Sequence, residues 1–228
     1  MARVRVRLVP RGAPVSPRAA AVIVDVLRAS TTLAFARANG AARVLPAATK
    51  EEALALHARE PGSLLCGERD GRIIPGFHLG NSPAEYSADV VRGRTLVFAS
   101  TNGSIALACA RTARRRVLGA FVNAAAVAEA VAAEDEVEIV CSGKLGEPSL
   151  EDASLAGWLC RMLERRGARL EGAAARCVTH LAPDDATGVR PVLEGCSHGR
   201  YLRRLGPEYR RDLDWCARVD ALDRADEV

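Results

Sequence analysis

From residue 21 to residue 166, short apolar runs alternate strictly with segments of helical period, and no other feature constrains the fold of this chain as tightly. The runs are AVIVDV (21–26), ARVLPA (42–47), SLLCG (63–67), TLVFAS (95–100), RRVLGA (115–120) and EVEIVCSG (136–143). Most are nearly continuous in apolar residues, the pattern of a strand buried on both faces. Parallel strands in turn need crossover helices between them. The intervening segments carry helix signals. STTLAFARAN ends at Asn39-Gly40, Thr49 and Glu52 form a T-x-x-E box, and Ser82-Pro83 is followed by Glu85. The longest helical pattern runs from about Ser149 to Arg166 and stops at Gly167. The N-terminal MARVRVRLVPRG alternates Val and Arg like an edge strand, and the weaker C-terminal patterns CSHGRYLRRLG and PEYRRDLDWCARVD read as helices. The expected fold is α/β, a mostly parallel sheet with helices on both faces. It would span residues 1–228 as a single domain or as two closely packed lobes.

Composition excludes several classes. The chain has 228 residues, 49% hydrophobic, enough for a sizeable core. No apolar run reaches the roughly 18 residues of a membrane span, and the start has no signal-peptide core, so the cytoplasm is the expected location. Seven cysteines without C-x-x-C spacing argue for reduced, buried thiols rather than a disulfide framework or a zinc site. The net charge of +4 comes from arginine, since Lys50 and Lys144 are the only lysines, and nucleic-acid binding does not follow from it. A small anionic partner is expected, with no nucleic acid and no membrane; a homodimer is left open.

Open α/β sheets place ligands beyond the C-terminal ends of their strands. Four such ends are loaded with polar residues. They are VDVLRASTT with Asp25, Arg28, Ser30 and Thr31, and CGERDGRIIPGFHLGNSP (66–83) with Glu68, Arg69 and Asn81, read as a long loop. The others are ASTNGS with Thr101, Asn102 and Gly103, and CSGKLGEPSLED with Ser142, Lys144, Glu151 and Asp152. Hydroxyls, glycines and arginines suit a phosphate, while carboxylates on the same edge would repel it unless Mg²⁺ lay between. Blander readings stand beside this one. Asp25, Ser30 and Thr31 could only cap a helix, Glu151 and Asp152 could only favour a helix dipole, and Glu68-Arg69-Asp70 could be a solvated charge run. His198 is open between a structural and a functional role. No P-loop and no G-x-S-x-G elbow is present. CGERDGR matches C-x5-R, but its acids would repel the phosphate that such a loop must cradle.

Taken together, VDVLRASTT, GERDGRIIPGFHLGNSPAEY, STNGS and GEPSLED resemble the signature blocks of the 2-phosphosulfolactate phosphatase family, with SHGRYL as a fifth. The resemblance runs in order from about residue 21 to about residue 216. It implies a Mg²⁺-dependent phosphatase that converts 2-phosphosulfolactate to sulfolactate and inorganic phosphate in coenzyme M biosynthesis. The positions that carry over are Asp25, Arg28, Ser30, Thr31, Glu68, Arg69, Gly80, Asn81, Thr101, Asn102, Gly103, Glu151 and Asp152. On that basis Asp25, Glu68 and Asp152 are the expected catalytic acids, with Glu151 joining them as metal ligands. Arg28 and Arg69 would clamp anionic groups, helped by Ser30, Thr31, Asn81 and the Thr101–Gly103 turn. Attack by water is the expected route, and an aspartyl-phosphate on Asp25 the lesser one. Two positions depart from the family pattern: His78, where GFD is usual, and Ser100, where Thr is usual. A lost Asp at 78 would favour softer metals, or mark the rival possibility of a non-catalytic protein that binds a phosphorylated or sulfonated metabolite.

Overall fold

A computed structural model describes all of residues 1–228 and divides the strands between two sheets. In chain order the elements begin β1 (Arg3–Arg7), β2 (Ala20–Val24), α1 (Ala29–Ala38), β3 (Arg43–Ala47), α2 (Lys50–Arg59), β4 (Leu64–Arg69) and β5 (Arg72–Ile73). Then follow α3 (Ala88–Val91), β6 (Thr95–Ala99), α4 (Gly103–Cys109), β7 (Arg115–Gly119), α5 (Ala124–Val131), β8 (Glu136–Cys141) and α6 (Leu150–Arg165). The chain closes with β9 (Arg169–Leu170), α7 (Gly172–Val178), α8 (Val189–Gly195), α9 (Ser197–Leu205) and α10 (Pro207–Cys216).

The first sheet, in the order β7-β2-β8-β1-β9, is parallel throughout. The second, β3-β6-β4-β5, is formed by the segment between β2 and β7 and is parallel except for the β4–β5 pair. The expected α/β class and parallel pairing are therefore present, but in two sheets rather than one. Side-chain alternation explains how both are covered. Val22 and Val24 of β2 pack with Val137 and Ile139 of β8 under α5, α6 and the C-terminal helices, while Ala21, Ile23 and Val140 face α4. In the second sheet Leu64, Cys66, Leu96 and Phe98 face α1, and Leu65, Val97 and Ala99 face α2. Thus α1 and α4 lie between the sheets, and each sheet keeps a helical layer on its outer face.

Local chemistry accounts for the departures from expectation. The stretch after Cys66 is not a long loop. Strand β4 runs through Glu68 and Arg69, and β5 pairs back against it, Glu68 with Ile73 and Arg69 with Arg72. Asp70 and Gly71 form the two-residue turn with positive φ at both positions (53° and 74°), the geometry that an Asp-Gly dipeptide favours. Pro83–Glu85 is a single 3₁₀ turn rather than a full helix start, although Glu85 closes on the Ser82 N–H as expected. Gly67 is required by its backbone. Its φ is 133°, and a Cβ there would lie 1.8 Å from the Ala99 carbonyl oxygen. On β1, Val4 is buried while Arg3 and Arg5 reach Glu136 and Glu171 at 2.6 and 2.8 Å, so an alternating strand is covered by ion pairs on its charged face. No helix is long and apolar enough to cross a membrane.

Candidate active site

The C-terminal ends of β2, β4, β6 and β8 open on one cavity of about 240 Å³. Of the residues expected at the site, Asp25, Arg28, Glu68, Asn81, Thr101 and Asn102 line it. Lys144, Leu145, His198 and Tyr201 also line it, with Asp70 and Gly71 from the hairpin turn.

Asp25 follows β2 directly, and its Oδ1 accepts the Ala29 N–H of α1 at 3.2 Å, so one carboxylate both caps the helix and borders the cavity. Gly103 makes room for it: a Cβ there would lie 2.8 Å from Asp25 Oδ2. Burial pushes the Asp25 carboxyl up to about 6, against the pull of His198, and the nearby Glu68 carboxylate raises it further. Glu68 comes from the other sheet and is held by three donors. The Thr101 N–H reaches Oε1 at 2.7 Å, and the Gly71 N–H and the Thr101 hydroxyl reach Oε2 at 2.8 and 3.3 Å. Asn81 is fixed through its neighbours, since the Gly80 carbonyl accepts the Tyr86 hydroxyl and the Asn81 carbonyl accepts that of Thr32. Its side-chain Oδ1 is buried without a hydrogen-bond partner.

The same cavity is lined by an ammonium and an imidazole. The Lys144 ammonium lies 4.7 Å from the centre of the Tyr201 ring, and partial burial lowers its pKa although Glu151 pulls the other way. His198 Nδ1 is 3.3 Å from Glu151 Oε1. Burial opposes ionisation of Glu151, yet the hydrogen bond and charge of His198 hold that carboxyl below its ordinary value. Glu151 Oε2 has no partner.

Several expected residues lie elsewhere, each for a physical reason. Ser30 is consumed by the backbone, its one proton lying between the Asp25 and Gly119 carbonyls while its oxygen accepts the Asp25 N–H, and the Thr31 hydroxyl donates to the Val26 carbonyl. Both are buried in the first turn of α1, outside the cavity wall, and neither caps the helix. Arg69 points away because consecutive strand residues face opposite sides, and with Glu68 inward its guanidinium donates instead to the Ala48 carbonyl at 2.9 Å. Arg28 borders the cavity but is not a free clamp, being paired with Asp212 at 2.5 Å and donating to the Gly71 carbonyl at 2.6 Å. Asp152 is a fastener. Its oxygens accept the Val26 N–H, the Ser142 hydroxyl and the Gly143 N–H at 2.9–3.0 Å, tying α6 to the ends of β2 and β8. Burial raises its pKa well above the ordinary range. His78 is exposed and outside the cavity, its Nδ1 accepting the Leu65 N–H, so the argument that it alters the metal loses its basis. At Ser100 the hydroxyl still caps α4 by accepting the Ser104 N–H, a role that Thr would share.

The four carboxylates expected to share a metal therefore divide. No three carboxylate, imidazole or thiol side chains gather as a ligand cluster. Of those four, Asp25 and Glu68 alone face the cavity, where burial and then the neighbouring Glu68 charge make ionisation of Asp25 costly. That donor chemistry fits Mg²⁺, a hard cation that takes one or two carboxylates, keeps water ligands and tolerates hydrogen-bonded oxygens such as those of Glu68.

The sequence model of the family described as 2-phosphosulpholactate phosphatase matches residues 8–226. A protein of Deinococcus radiodurans named "Probable 2-phosphosulfolactate phosphatase" is 42% identical over 204 residues, covering 87% of this chain and 83% of that protein. Relatives of the same name from Carboxydothermus hydrogenoformans and Thermotoga petrophila are 38% and 36% identical, covering 90% and 88% of this chain and 84% and 85% of theirs. With the match running from just after β1 to the C-terminal residues, the chain belongs to the 2-phosphosulfolactate phosphatase family.

Proposed function

We propose that this protein hydrolyses the phosphomonoester of 2-phosphosulfolactate to sulfolactate and inorganic phosphate, with Mg²⁺ held by Asp25 and Glu68. The observation that carries the reading is the meeting of two carboxylates from different sheets with Lys144 and His198 across one cavity. We propose coenzyme M biosynthesis in the cytoplasm as the setting, on the family's strength alone. The substrate carries phosphate, sulfonate and carboxylate groups, so a site for it needs both a cation between the acids and fixed positive charge opposite. When bound, Mg²⁺ supplies Lewis acidity toward the phosphoryl oxygens. Lys144 and the remaining donors of Arg28 would orient the anionic groups, and Asn81, Thr101 and Asn102 would add hydrogen bonds. The leaving oxygen is a secondary alkoxide and needs a proton as the P–O bond breaks. His198 is placed to deliver it, since Glu151 engages Nδ1 and leaves Nε2 as the ring nitrogen for the substrate. Water attacks phosphorus on the face opposite that oxygen.

Phosphate release from 2-phosphosulfolactate is expected with Mg²⁺ and is expected to vanish in EDTA. Persistent turnover in EDTA would remove the metal from the reading, and folded protein that releases no phosphate with Mg²⁺ would remove the reaction. The proton role has its own check. His198→Gln is expected to lower kcat on 2-phosphosulfolactate by about 10²-fold, within the range of general-acid contributions, but to spare p-nitrophenyl phosphate, whose leaving group needs no proton. Equal losses on both esters would make His198 a positioning group instead.

A further inference from the structure

Four arginines line a separate surface groove with no other residue in its wall: Arg200, Arg203 and Arg204 from α9 and Arg210 from α10. All four are exposed, and none has a carboxylate within ion-pair distance. Elsewhere Arg3, Arg5 and Arg7 each pair with a glutamate and Arg190 pairs with Glu194 and Asp214, but most arginines of the chain have no ion pair; what distinguishes these four is that they share one groove. Helix chemistry explains only part of it. Arg203 and Arg204 lie in the last turn of α9, where the dipole favours cations. Arg200 donates to the Gly195 carbonyl on the preceding helix. Neither effect places Arg210 of α10 on the same groove, and four guanidiniums side by side repel one another, a repulsion that a bound anion relieves and salt weakens.

The groove shares α9 with the cavity. His198 and Tyr201 line the cavity from that helix, and Arg204 is one turn beyond Tyr201, whose ring carries the Lys144 ammonium. The Arg204 charge already reaches the cavity, being among the causes that lower the Lys144 pKa. The geometry points to Arg200, Arg203, Arg204 and Arg210 as an anion-collecting surface that draws a substrate with several negative groups toward Lys144. This inference rests on the proposed phosphatase reading. A clustered positive field beside a cleft raises the local concentration of an anion by roughly 10- to 10³-fold, more steeply the higher its charge, and loses that effect as salt shortens its range.

The test compares the wild type with the R200Q/R203Q/R204Q/R210Q variant, with Mg²⁺, on 2-phosphosulfolactate and on the less charged p-nitrophenyl phosphate. Each is assayed from about 0.01 M to about 1 M salt, which takes the screening length from ~30 Å to ~3 Å. At low salt the variant is expected to lose about tenfold or more in kcat/KM on 2-phosphosulfolactate, clearly less on p-nitrophenyl phosphate, with the loss in KM and kcat unchanged. At high salt the two proteins should converge. An unchanged kcat/KM and salt slope, equal losses on the two esters, or a loss confined to kcat would each overturn the inference while leaving the phosphatase reading intact. No turnover of either ester by the wild type would remove that reading, and the inference with it.

Discussion

Asp25→Asn is expected to lower kcat for phosphate release by about 10³-fold or more while leaving the fold intact or more stable. The activity loss follows from the donor set. Asp25 and Glu68 are the only carboxylates of the expected metal set that line the cavity, and replacing one by an amide removes both a negative charge and a ligand. A metal's stabilisation of phosphoryl transfer amounts to several kcal/mol, and at about 1.36 kcal/mol per decade some 4 kcal/mol is a factor of about 10³. The stability expectation has the opposite sign, because burial raises the Asp25 pKa from 3.8 to about 6. A group whose folded pKa lies above its unfolded value stabilises the fold fully below the unfolded pKa. That contribution is lost as pH rises through the folded one. Metal-free wild type should therefore lose stability between pH ~4 and ~6, and the Asn variant should lack that portion of the slope.

Thermal unfolding with and without Mg²⁺ at pH about 7.5 ties the two halves together. The wild type should gain Tm from the metal, since the cation offsets a buried like-charge pair, and Asp25→Asn should gain little. A variant that keeps activity within tenfold of wild type would remove Asp25 from the chemistry. A ³²P-labelled covalent adduct on the wild type, absent from the variant, would make Asp25 the nucleophile instead of a metal ligand.

The legibility of this site in the sequence follows the range of the forces that build it. Strand positions were readable because burial on both faces leaves a continuous apolar run, as in AVIVDV, and strand ends were readable because they carry the polar residues. Asp25, Glu68, Asn81, Thr101 and Asn102 follow such strand ends, and all five line the cavity. An apolar run does not say which sheet it joins, so the division into two sheets was hidden. Arg69 was misplaced by one unread local signal: Asp70-Gly71 is a hairpin turn, and once β4 extends through it, alternation turns Arg69 outward. Ser30, Thr31 and Asp152 have the right chemistry but spend their polar atoms on nearby backbone, which composition does not reveal. His198, Tyr201 and Asp212 arrive from C-terminal helices whose sequence pattern is weak, and Tyr201 and Asp212 bind partners, Asp70 and Arg28, more than a hundred residues away in the chain. Lys144 did carry a signal, being one of only two lysines in an arginine-rich chain.

Asp212→Ala is expected to destabilise the protein by about 3–5 kcal/mol, the cost of leaving a buried charge without its partner. Asp212 and Arg28 are 1% and 3% exposed, and α10 grips the guanidinium on two sides, with the Asp212 carboxylate at 2.5 Å and the Tyr209 ring centre at 5.4 Å. The Ser82 hydroxyl donates to the other carboxylate oxygen, and Arg28 also holds the Gly71 carbonyl of the hairpin turn. One ion pair thus connects α1, the β4–β5 hairpin and α10 around the cavity. Its existence does not make it a large net stabiliser. Burial pushes the Asp212 carboxyl above its ordinary range in spite of Arg28 and Ser82, so ionising it costs the fold free energy that the attraction only partly returns. Removing both charges together should therefore be much milder than removing one, and Arg28→Met with Asp212→Leu should recover most of the stability lost in Asp212→Ala. Urea titration of the single and double variants measures both terms. A loss below about 1 kcal/mol in Asp212→Ala would mean that water or the Gly71 and Tyr209 contacts suffice for the guanidinium. A double variant as unstable as the single one would show that the pair fastens α10 by geometry that apolar packing does not replace.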